Sequence, residues 1–139
     1  MKNVYEIFEE FEQAKTKDEK IQVLRKNACW ALRNVLQGTF DPNIKFTVER
    51  VPYYKPGDSP PGMSYTSLHQ ELGRVYLFQE GNPKVPANLT EKRKEEILVQ
   101  ILEALEEKEA QVFMNMLLKK QKVPGLTAKI VKEAFPDLF

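Results

Sequence analysis

The chain has 139 residues, 42% of them hydrophobic and 29% charged, which is enough apolar material for one ordinary core. Lys+Arg 21 against Asp+Glu 20 gives a formal net charge of +1, so no global field draws the protein to nucleic acid or membrane, and any electrostatic partner has to be read locally. A single histidine, His69, and a single cysteine, Cys29, argue against the commoner acid–base and thiol chemistries, an internal disulfide and a cysteine-ligated zinc site. The opening residues Met1–Glu6 carry no apolar leader core, and no stretch approaches the roughly 20 apolar residues of a bilayer span, so a cytosolic protein without a membrane segment is expected. In that compartment the Asn88-Leu89-Thr90 sequon is accidental.

Val4, Ile7, Phe8, Phe11 and Ala14 recur at three- and four-residue spacing among glutamates, which predicts an amphipathic first helix. A second helix is predicted from a Thr16 cap, with Glu19 three residues on, through Ile21, Leu24, Ala28, Leu32, Val35 and Leu36 to a left-handed end at Gly38. Packed as an antiparallel hairpin over residues 1–38, with Trp30 or Cys29 turned partly inward, these two elements form the expected core nucleus.

The pattern changes over residues 39–63. Ile44, Phe46 and Val48 alternate with Lys45, Thr47 and Glu49, the signature of a short half-buried strand, yet no partner strand is evident; extended backbone lying across helices is the alternative. Residues 51–63 hold four of the nine prolines and two of the six glycines and read as a long loop. Loops of that length are often functional, and tyrosine supplies wide contact area at low entropic cost, which makes Tyr53, Tyr54 and Lys55 candidate partner-binding residues; the bland alternative is that the tyrosines pin the loop to its own domain.

Helical periodicity returns over 64–80 with Leu68, Leu72, Val75 and Tyr76. Ser67 and His69 stand two apart, on different faces of such a helix, and no third group orients them, so a nucleophile–base pair is disfavoured. Past a second proline-punctuated connection, residues 88–139 read as C-terminal helices: one capped by Asn88 or Thr90 with Ile97, Leu98, Ile101, Leu102 and Leu105 inward, then a break near Glu106–Glu109 and a further helix with Ala110, Phe113, Met114 and Leu117. One long bent helix is the alternative. Glu95, Glu96, Glu106 and Glu107 lack a histidine companion and read as a solvated face, so neither a metal nor a cofactor is expected.

From Lys108 to Phe135 six lysines stand against two acids, whereas residues 1–20 hold four lysines against six acids. The run Val123-Pro124-Gly125-Leu126, followed by Ala128 and Ile130, resembles the phosphate-gripping turn of a helix-hairpin-helix, with Thr127 in place of its second glycine. Lys119, Lys120, Lys122, Gly125 and Lys129 are therefore candidate nucleic-acid contacts, against an ordinary capped helical hairpin as the bland reading.

Taken together, Lys26-Asn27, the run Leu32 to Phe40, the Pro52-Tyr53-Tyr54 loop and the closing Gly125-Leu126-Thr127 and Ala134-Phe135-Pro136-Asp137-Leu138 resemble a functionally unassigned group of small proteins from T-even-like myoviruses of marine cyanobacteria and other marine bacteria. The likeness covers nearly the full length. It implies a setting, the cytoplasm of an infected bacterium, and no catalytic residue. The expected fold is mainly α, a single compact domain of five or six helices with a proline-rich irregular middle and at most one short strand or hairpin. The expected function is a non-enzymatic phage accessory protein that binds a host or phage protein, with sequence-independent nucleic-acid binding through the lysine-rich hairpin as the alternative and the oligomeric state left open.

Overall fold

A computed structural model describes residues 2–60 and 62–139; Met1 and the loop's Pro61 lie outside the described residues. Among the described residues there are seven α-helices, a slightly higher count than expected: α1 Val4–Gln13, α2 Lys17–Lys26, α3 Trp30–Phe40, α4 Leu68–Glu71, α5 Glu91–Ala104, α6 Glu107–Leu117 and α7 Ala128–Ala134, with a 3₁₀ segment Leu72–Phe78 directly after α4. The fold is mainly helical, and no sheet forms among these residues.

The helix starts follow local chemistry. The hydroxyls of Thr16, Ser67, Thr90 and Thr127 accept from the backbone N–H groups of Glu19, Gln70, Arg93 and Ile130, satisfying donors that a first turn leaves unpaired. The buried face of α1 is Val4, Ile7, Phe8 and Phe11, as its spacing predicts. Helix α6 is the hub: Ala110, Phe113, Met114, Met116 and Leu117 are buried, and α1, α3, α4 and α5 pack around it. The break near Glu106 falls between α5 and α6 as expected.

Three expectations are corrected. Residues 16–38 are two helices, because the chain leaves helical register at Asn27, Ala28 and Cys29; the Asn27 side-chain amide donates to Val23 O at 2.8 Å and competes for the carbonyl that would carry the helix forward. Gly38 is not a left-handed cap. It lies inside α3, which runs on to Phe40, and a Cβ there would stand 2.7 Å from Met116 Sδ, so glycine is what lets α3 and α6 approach. Of Trp30 and Cys29 it is Cys29 that turns partly inward, half-buried against the core as expected, while Trp30 is 49% exposed and its ring lies tilted against His69, centroids 4.7 Å apart.

The expected helix over 64–80 is the third. Only one α-turn forms, and the chain then tightens to three residues per turn, a geometry that Leu72, Val75 and Phe78 suit because their spacing of three stacks them on one face. The 44–48 segment is not a strand: one antiparallel bridge, Phe46 to Gln79, joins it to the end of the 3₁₀ segment, and the chain bends at Thr47. At the C-terminus Gly125 turns the chain at φ +82°, Leu138 is buried and Phe139 half-buried, so the Leu-Phe tail is docked and not presented.

Candidate functional site

Residues 44–57 form a strap across the helices, fixed at both ends. At its start the Lys119 ammonium donates to the carbonyls of Gly38, Asp41 and Ile44 at 2.6, 2.8 and 2.7 Å, closing the end of α3 and tying the strap to it. Next to this clamp Thr47 N–H donates to Phe78 O at 2.8 Å and Glu80 N–H to Lys45 O at 2.7 Å. At the far end Tyr54 Oη donates to Glu107 Oε1 at 3.3 Å and Lys55 N–H to Glu103 Oε2 at 2.8 Å. Gly57 lies against the end of α5, where a Cβ would come within 2.8 Å of Leu105 O. Burial, with the Glu107 carboxylate beside it, pushes the Tyr54 hydroxyl above its ordinary range and keeps it a donor.

Over residues 51–55 the side chains alternate. Val51, Tyr53 and Lys55 are exposed while Pro52 and Tyr54 are half-buried, the period of an extended chain with one face on the protein. Tyr53 is 95% exposed. The two tyrosines therefore separate: Tyr54 pins the strap and Tyr53 stands clear of it. Tyr65, 93% exposed, flanks the same end, where it and Lys55 line a cavity of about 180 Å³. Val51, Met63 and Tyr65 were not among the sequence candidates; Val51 was legible as the residue sharing strand parity with Tyr53, whereas the placement of Tyr65 beside Lys55 is tertiary.

The lysine-rich hairpin is split as well. Lys119 faces inward on the strap clamp, at a left-handed φ of 64°, and does not join the surface lysines. Lys120, Lys122 and Lys129 are exposed, as is Gly125, and among the described residues no carboxylate lies within 4 Å of any of the three ammonium groups. The Ser67 hydroxyl is committed to capping α4, and His69 stacks on Trp30. Among the described residues no three His, Cys, Asp or Glu side chains cluster in a way that could hold a metal ion, and no helix is long and apolar enough to cross a membrane.

Fold and surface define a small helical protein that holds an extended, tyrosine-bearing strap against its core. The chain belongs to a family of unknown function, DUF6433, which matches residues 7–123 and so takes in α1 from Ile7 on, α2 to α6 and the whole strap. No curated protein matches it.

Proposed function

We propose that this is a non-catalytic accessory protein that binds another protein through the outward row of the strap, Val51, Tyr53 and Lys55, extended by Met63 and Tyr65. One observation carries the reading: of the five large hydrophobic side chains left exposed among the described residues, four lie between residues 51 and 65. Val51 and Tyr53 sit on a strap fixed at both ends, so little ordering entropy is lost on contact there. In this reading the setting is the cytoplasm of a phage-infected bacterium and the partner a host or phage protein, which the likeness to small myovirus proteins suggests.

Capture from infected-cell lysate, with and without nuclease and at low and high salt, tests it. Tyr53→Ala should leave the melting temperature within about 1 °C, because the ring touches little in the fold, and weaken capture by at least tenfold, the loss of a contact residue worth more than about 1 kcal/mol. Equal capture by the variant defeats the proposal. A second reading, sequence-independent nucleic-acid binding, is favoured by the three ammonium groups of Lys120, Lys122 and Lys129, which no carboxylate among the described residues neutralises. In that case nucleic acid is recovered at low salt only, and charge reversal at Lys120 and Lys129 abolishes it.

A further inference from the structure

Beside Tyr65 a cavity of about 260 Å³ lies between residues 62–67, which lead into α4, and the start of α6. Glu106, Glu109 and the hydroxyl-bearing Ser64, Thr66 and Ser67 line it, and among the described residues its lining holds no lysine, arginine or histidine.

The two acids are short of a counter-charge. Neither Glu106 nor Glu109 has an ion-pair partner among the described residues. Glu106 accepts the Tyr5 hydroxyl through Oε1 at 3.0 Å and Glu109 accepts the Leu68 N–H through Oε2 at 2.6 Å, which leaves the second oxygen of each without a donor among the described residues. Glu109 is only 7% exposed, yet its free Oε1 is still reached by solvent, unlike the sealed Oε2 atoms of Glu107 and Glu133. Burial first, and then the charges of Glu106 and Glu6, push the Glu109 carboxyl above its ordinary range against the pull of the Leu68 hydrogen bond. Both acids stand at the start of α6, where the helix dipole favours negative charge, but roughly half a positive charge leaves most of two carboxylates unbalanced.

Resting on the protein-binding reading above, we propose that this cavity receives an arginine side chain of the partner, its guanidinium bridging Glu106 and Glu109 and its stem lying on the Tyr65 ring. Tyr65 is 93% exposed and lines the same cavity, so an arginine entering from the outward row passes over it. A planar guanidinium carries five donors to divide between two carboxylates and the nearby hydroxyls. A metal ion is served less well, since among the described residues no third acid, histidine or cysteine completes a ligand set.

The test is a titration of the ¹⁵N-labelled full chain with a blocked peptide of arginine flanked by glycines, at low salt and to about 20 mM, a range that detects millimolar contacts. The same peptide with citrulline for arginine, which keeps the shape and loses the charge, and calcium chloride serve as comparisons. Saturable shifts of the amides of residues 64–70 and 106–109 are expected with the arginine peptide, with at least about tenfold weaker binding of the citrulline peptide and the same loss on Glu106→Gln and on Glu109→Gln. Each variant keeps an acceptor for Tyr5 or Leu68, and melting curves verify that both fold. No shift at the cavity overturns the proposal. So does equal binding of the citrulline peptide, which removes the charge argument, and so do shifts with calcium but not with arginine, which make the acids a metal site. Lysate capture that is lost with Tyr53→Ala but indifferent to Glu106→Gln and Glu109→Gln leaves the outward row as the binding surface and discards the cavity, whereas capture indifferent to all three defeats the protein-binding reading itself.

Discussion

Glu109 shows how one buried charge ties two elements together. It projects from α6 and accepts the Leu68 N–H at 2.6 Å, holding the start of α4 on the hub helix. Burial pushes its carboxyl above the ordinary 4.5, the Leu68 hydrogen bond pulls it back in part, and the nearby Glu106 and Glu6 add to the rise. A folded value above the unfolded one means that the native state holds the proton more tightly, so this group costs stability progressively as pH rises from 4.5 through the folded value. Glu10 works in the opposite sense: Lys2 and Lys26 hold it down to about 2, so its contribution is present above 4.5 and disappears as pH falls toward 2. Glu109→Gln keeps an acceptor for Leu68 and removes the titration. The variant should melt higher than wild type at pH 7 and at the same temperature near pH 3, where the carboxyl is protonated in both states; melting curves across that range check it. No difference at pH 7 means that the ionised carboxylate is accommodated without cost.

At this scale the sequence is most legible where a residue acts on its own neighbours. Thr16, Thr90 and Thr127 cap because a hydroxyl reaches an N–H three residues on, and nothing distant can change that. Gly38 misleads because absence of a side chain serves a left-handed turn and a close helix crossing equally well, and the deciding atom, Met116 Sδ, is 78 positions away. Lys119 misleads for a related reason. A lysine in a lysine-rich run reads as solvated, and only the folded chain shows three carbonyls converging on it.

For the elements, amphipathic spacing locates α1, α5 and α6 because a single buried stripe runs the length of each. It merges α2 and α3 because the apolar positions of both satisfy one helical template, while the side-chain hydrogen bond of Asn27 that parts them carries no periodic signal. The strap is only half legible: prolines 52, 56 and 60 rule out a helix, but the clamp that makes the segment a fixed surface comes from Lys119. Burial holds the Lys119 ammonium below its ordinary value, with Asp41 pulling the other way, so the group is charged at a desolvation cost that its three hydrogen bonds offset. Lys119→Met retains the stem and leaves the three carbonyls short of a donor. It should destabilise the protein by about 2 kcal/mol in urea unfolding, within the range for buried acceptors left unpaired. Release of the strap should also speed tryptic cleavage after Lys45 and Arg50 in the native state. Unchanged cleavage at those sites means that the Phe46–Gln79 bridge and the Tyr54 anchor suffice to hold the segment.

For the whole molecule the open question is whether α7 belongs to the fold or merely rides on it, since the family match ends at Val123. Packing answers that it belongs. Arg25 of α2 donates to Glu133 O and Ala134 O at the end of α7, Lys17 pairs with Glu133 at 3.0 Å, and the Arg33 guanidinium lies over the Phe135 ring. Beyond Val123, Leu126, Val131, Ala134, Phe135 and Leu138 are all buried. At roughly 1.5–3 kcal/mol for each larger side chain, their burial contributes on the order of the whole 5–15 kcal/mol that separates folded from unfolded domains. A chain ending at Val123 should therefore lose its cooperative thermal transition and expose Phe11, Leu24 and Ile21 beneath the missing helix. Retention of a sharp transition within a few degrees of the full-length protein shows instead that α1 to α6 form the folding unit and that the C-terminal hairpin is an appendage. Deletion of residues 124–139 is for the same reason uninformative about the surface lysines: an unfolded protein binds nothing specifically, and the question of nucleic acid has to be put to Lys120 and Lys129 by charge reversal on the intact chain.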